Sequence, residues 1–125
     1  MREDAPVQDF RKLNVWQKAH ELTLAIYRAS RGFPQEERYG LTSQIRRCAV
    51  SIAANIAEGC GRSKSGDFAR FLEIASGSAS ELEYHLLLAR DLHYLDHVTS
   101  EDLSRKVGEV KQMLSSLTQK VRQAK

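Results

Sequence analysis

In the stretch SIAANIAEGCGRS, residues 51–63, a hydroxyl, a carboxamide and a carboxylate recur at helical spacing as Ser51, Asn55 and Glu58. The row extends to Gln44, Arg47 and Arg62, in steps of three and four residues that keep all six on one helix face. Three chemistries fit such a row: catalysis, contacts to phosphates or bases, or a polar seam between helices. A solvent-facing surface would carry more Lys and Glu, because Ser and Asn are mediocre formers of helix interiors. They suit a half-buried seam in which side chains bond one another. Arg47 and its neighbour Arg46 carry the phosphate-binding alternative. Glu58 is the row's one acid, and it can be spent on Arg62 four residues on, so catalysis is the least expected of the three.

Other reactive groups give less. Cys48 lies on an apolar helix face, where free cysteine is buried and inert. Cys60 lies nearer the helix end and is expected to be more exposed, but it has no placed base. The two thiols are twelve positions apart, about 18 Å of helix, against the roughly 7 Å that a disulfide allows. Both therefore read as reduced thiols. Glu-x-x-His, the signature of carboxylate-bridged di-metal bundles, does not occur. His20-Glu21 starts a zincin-like string, but Leu24 stands where a second ligand would follow. His93 and His97 read as a helix-end pair rather than a metal site. Neither a metal nor a cofactor is expected. Gly59, Gly61 and Gly66 lack the strand and Gly-Lys-Thr of a phosphate loop, and the first two read as helix C-caps with positive φ. Arg62 and Lys64, just before a helix start, offer an anion site whose alternative is a solvated basic turn.

These groups must be positioned by helices. Pro6 and Pro34 are the only prolines, and strand alternation is absent. Apolar periodicity predicts four helices, at about 14–31, 41–60, 66–94 and 100–123, after a flexible arm over 1–12. Asn14, then Ser65 or Asp67, then Thr99-Ser-Glu-Asp102 read as the N-terminal caps. The third helix carries Phe68, Leu72, Ala75, Ala79, Leu82, Leu86 and Ala89 in alternating steps of four and three. The small residues Ser76–Ser80 and the alanines at 49, 53, 54 and 57 predict close packing between helices two and three, within the subunit or across an interface. Short connections make neighbours antiparallel. The fold class expected is all-α, a single up-down-up-down antiparallel four-helix bundle over 1–125.

With 125 residues, 42% of them hydrophobic, the chain can build one core without staples. It has no apolar run of membrane-spanning length, and MREDAPVQDF has no signal core, so a soluble cytoplasmic protein is expected. A net charge of +3 is mild, but it is unevenly spread. Residues 38–66 set Arg38, Arg46, Arg47, Arg62 and Lys64 against Glu58 alone, and 111–125 hold Lys111, Lys120, Arg122 and Lys125 with no acid. Acids dominate between. Basic parts of this kind bind phosphates or dock onto the acidic face of another subunit.

Three strings carry a family resemblance: Phe10-x-x-Leu13-x-Val-Trp16-Gln-Lys-Ala19; Gln44-Ile-Arg-Arg47 with Ser51-Ile-x-x-Asn55-Ile-Ala-Glu-Gly59; and Asp67-Phe-x-Arg-Phe-Leu72-x-x-Ala75-x-Gly-Ser78-x-x-Glu81-Leu82. The chain resembles the small four-helix-bundle proteins encoded in intervening sequences of bacterial 23S rRNA genes, and is similar to accessory proteins of diversity-generating retroelements. The resemblance implies a bundle that assembles into a ring, a homopentamer, with RNA or DNA on basic surfaces. It supplies no catalytic residues. The expected function is therefore a non-enzymatic, oligomeric, nucleic-acid-binding bundle, RNA before DNA. Arg46, Arg47, Arg62 and Lys64 are the expected phosphate contacts, with Lys120, Arg122 and Lys125 as a secondary tail. The alternative is an adaptor ring whose interface uses Gln44, Ser51, Asn55 and Glu58.

Overall fold

The computed structural model describes residues 9–124. Its four helices are α1 (Asn14–Ser30), α2 (Leu41–Cys60), α3 (Ser65–Asp91) and α4 (His97–Gln123). Single 3-10 turns lie at Phe10–Lys12 and Gln35–Glu37. Each helix packs on its neighbours in sequence, and α1 closes the bundle against α4. Cross-helix pairs show that neighbours run in opposite directions. Glu83 meets Lys111 and, a few turns away, Glu73 meets Arg122, so α4 descends as α3 rises. The architecture is an all-α, antiparallel four-helix bundle.

One apolar core runs through it. Leu22 and Ile26, Ile45, Ile52 and Ile56, Leu72, Leu82 and Leu86, and Val107, Val110 and Leu114 are fully buried. These are the apolar positions of each helical period, so patterning decides which face turns inward.

The helix ends depart from the sequence reading. Leu13, not Asn14, occupies the N-cap of α1, and Lys64, not Ser65 or Asp67, that of α3; neither cap makes a side-chain bond. For α4 the cap is Asp96, whose carboxylate accepts the Thr99 amide at 2.7 Å, so the helix starts three residues earlier than expected. α3 stops at Asp91 rather than 94 because His93 adopts φ 65°. The Tyr94 amide then reaches the Ala89 carbonyl and the His93 amide that of Arg90, the paired bonds of a Schellman stop. The end of the expected arm is also fixed. Asp9 caps the first 3-10 turn, and the Phe10 ring lies 4.9 Å from that of Trp16. Residues 1–8 lie outside the described residues.

Glycine roles change too. Among the described residues no glycine has positive φ; Gly61 caps α2 at φ −80°. Gly59 is buried, and a Cβ there would lie 2.8 Å from Phe68 Cδ1 and 3.0 Å from Phe71 Cβ. It is a packing glycine between α2 and α3. Close approach of these helices rests on Ala49, Ala75 and Ala79, all fully buried, and on a contact between Ser51 and Ser78. Gly77 faces open space within the chain.

Candidate functional site

The first turns of α2, the connection that precedes it and the last turns of α1 enclose a cleft of about 630 Å³. Tyr27, Arg38, Tyr39, Arg46, Arg47 and Val50 are on its walls, and no acidic residue lines it. Arg46 is held rather than free. Its Nε donates to Ser30 Oγ at 2.7 Å, an Nη donates to the Tyr27 carbonyl at 3.3 Å, and its guanidinium lies 4.7 Å from the Tyr27 ring centre. The Ser30 hydroxyl is buried and itself donates to the Ile26 carbonyl, so the anchor sits on the core of α1. Arg47 is exposed. Arg38 lies 5.4 Å from the Tyr39 ring centre, and Tyr39 is 86% exposed. Three guanidiniums and two phenol rings on one cleft form a basic, aromatic surface. Three other depressions among the described residues mix signs; one sets Arg90 and Arg105 beside Glu101 and Asp102.

The remaining expected phosphate contacts are elsewhere. Arg62 and Lys64 lie at the far end of α2, about 24 Å of helix from Arg46. Arg62 is exposed but paired with Glu58 at 2.8 Å, and it shares the Phe71 ring with Arg70. Lys64 is exposed. At the same end of the bundle Arg122 is tied to Glu73 at 2.6 Å, and Lys120 is exposed beside a depression lined by Met113 and Leu117. Lys125 lies outside the described residues. Among the described residues the expected phosphate contacts thus fall in two separate regions, and the cleft at Arg46 and Arg47 is lined by arginines without acids.

The polar row divides as well. Ser51 Oγ lies 2.8 Å from Ser78 Oγ, and the Asn55 amide donates to Ser51 Oγ and to the Ser51 carbonyl. Its centre is thus a seam between α2 and α3 of one chain. Gln44 and Glu58 at its ends are exposed.

Neither thiol is poised for attack. Cys60 is 2% exposed, against the expectation of a more open position. Burial pushes its pKa up to about 11. Burial, then the Glu81 carboxylate, pushes Cys48 up to about 12. His97 opens α4 and faces Glu101 at 3.5 Å, while His93 serves the turn.

Of the residues on this cleft, the sequence singled out Arg46 and Arg47, named Arg38 only within a basic segment, and did not single out Tyr27 or Tyr39. Arg38-Tyr39 beside Pro34 and Gly40 was the available signal, an exposed cation and ring in a connection. Tyr27 reads instead as a flank of the α1 apolar face, and only the α1–α2 packing brings it to the cleft.

Among the described residues no helix is long and apolar enough to cross a membrane. No curated protein matches the chain. Among solved structures it is similar to a protein of unknown function of the S23 ribosomal protein family from Bacteroides thetaiotaomicron. That protein is 28% identical, with a TM-score of 0.75, over 83% of this chain and 97% of the other. Residues 11–116 match the family described as 23S rRNA-intervening sequence protein. That match takes in all of α1, α2 and α3 and most of α4. The chain belongs to the 23S rRNA-intervening sequence protein family.

Proposed function

We propose that the protein is a non-enzymatic nucleic-acid-binding bundle whose contact surface is the Arg38–Arg46–Arg47 cleft. The carrying observation is the composition of that cleft: three arginines, two tyrosines and no acid. Guanidiniums pair with phosphate oxygens through two N–H groups, and exposed rings stack on unpaired bases. Arg46, fixed by Ser30 and Tyr27, positions the wall, while Arg47 and Arg38 face the ligand and Tyr39 stacks. Single strands suit this surface better than duplexes, whose bases are already stacked. RNA is put ahead of DNA in this reading, with no more support than the mention of 23S rRNA in the family's description.

Assembly into a homopentamer belongs to the same reading. It rests on the family resemblance, and the exposed Leu24, Ile74 and Leu87 are apolar side chains that such an assembly would cover. Native mass spectrometry tests it. Fluorescence anisotropy with a single-stranded RNA, the matching DNA and an RNA duplex tests the ligand. Preference for the single strand, with RNA at least equal to DNA, supports the reading; no association at low salt sinks it.

A further inference from the structure

Cys48 on α2 and Glu81 and His85 on α3 bring one sulfur, one carboxylate oxygen and one imidazole nitrogen within 4.8 Å of one another. The fold sets this juxtaposition. Glu81 and His85 are four residues apart and share a face of α3. The antiparallel register that places Ser51 against Ser78 places Cys48, three residues earlier, level with Glu81, three residues later. Cys48 is 4% exposed and the His85 side chain 12%, so thiol and ring form a dry floor. The Glu81 side chain, 56% exposed, is the opening to solvent.

His85 is incompletely satisfied. Its Nδ1 is buried and has no hydrogen-bond partner among the described residues. Its Nε2 lies 3.7 Å from Glu81 Oε2, longer than a hydrogen bond and close to the separation of two ligands on one ion.

We propose that Cys48, Glu81 and His85 bind one divalent cation of the zinc class at the α2–α3 seam. A sulfur, nitrogen and oxygen donor set suits a borderline-soft ion, whereas magnesium and calcium take oxygen ligands. Three protein ligands leave a fourth position for water, reached from the Glu81 side. Tetrahedral bonds of about 2.0–2.3 Å put neighbouring donors roughly 3.5 Å apart, so the trio contracts slightly around the ion. On binding, the Cys48 thiol gives its proton to solvent as the sulfur–metal bond forms; the carboxylate and the neutral ring give up none.

Cobalt(II) titration of the full chain tests this. The expected result is a thiolate-to-cobalt charge-transfer band that saturates at one equivalent per chain and is bleached by one equivalent of zinc. Cys48→Ser removes the band and Cys60→Ser keeps it. Glu81→Gln changes only an exposed side chain, so it keeps the fold even if Cys48→Ser does not. It weakens cobalt affinity by more than about tenfold, the scale of losing even an outer-shell partner. Absence of a stoichiometric thiolate band, a band that survives Cys48→Ser, or unchanged affinity in Glu81→Gln overturns the site.

Discussion

Ser51 Oγ and Ser78 Oγ lie 2.8 Å apart, joining the middle of α2 to the middle of α3 within one chain. A row of side chains that could have served catalysis, a neighbouring subunit or a ligand is thereby spent, at its centre, on helix packing. Ser51→Ala removes the partner of the Ser78 hydroxyl and leaves Asn55 only the residue-51 carbonyl, and is expected to cost about 0.5–1.5 kcal/mol. Ser78→Leu overpacks the seam and costs about 1–3 kcal/mol. Urea denaturation measures both, and the losses should not depend on protein concentration. A concentration-dependent loss would place the seam between chains.

Gly59 makes a sharper demand. Gly59→Ala drives a methyl group into Phe68 and against the Phe71 Cβ, which cannot rotate away. A loss of about 1–3 kcal/mol is expected, despite the better helix propensity of alanine. A variant as stable as the parent would show that α3 can shift away from α2 freely.

His93 holds a left-handed conformation that L side chains adopt at a cost. His93→Gly keeps the stop of α3 and removes that cost, so a gain of about 1 kcal/mol is expected by thermal or chemical denaturation. A loss would show that the imidazole itself makes a stabilising contact.

Glu37 ties the α1–α2 connection to the α3–α4 turn. One carboxylate oxygen accepts the Leu41 amide at 3.0 Å and the other the Tyr94 hydroxyl at 2.9 Å. These bonds, the Leu41 amide first, hold its pKa below the ordinary glutamate range. A depressed folded-state pKa stabilises above the unfolded-state value, and that stabilisation fades as pH falls through the folded one. The melting-temperature difference between the parent and Glu37→Ala is therefore expected to be full at neutral pH and to shrink in acid. A difference that stayed constant into strong acid would assign the loss to packing instead.

The bundle was legible because burial repeats with the helical period. Leu72, Ala75, Ala79, Leu82 and Leu86, like Val107, Val110 and Leu114, step by threes and fours and are all buried. Ends were less legible, because caps depend on one residue's backbone angle or one short bond. Asp96, rather than the equally plausible Thr99, caps α4, and histidine rather than glycine makes the left-handed stop. The burial of Cys60 was less legible because at a helix end exposure is set by what packs there and not by the helical period. The same limit applied to the site. Arg46 and Arg47 stand out in sequence, but the Ser30 anchor and the two tyrosines come from other segments. Glu81 and His85 have helical spacing, yet they join Cys48 only through the register of two helices.

The basic cleft is the central functional claim, and the salt dependence of single-stranded RNA binding tests it most directly. For the parent, log affinity should fall linearly with log salt, with a slope of about −0.7 per neutralised phosphate. Arg38→Ala and Arg47→Ala should each flatten that slope by about 0.7, and Tyr39→Ala should lose about 1–3 kcal/mol while leaving it unchanged. Arg62→Ala, remote and paired with Glu58, serves as the comparison and should change little. Binding without salt dependence, or equal loss from Arg62→Ala and Arg47→Ala, would contradict the assignment of the cleft.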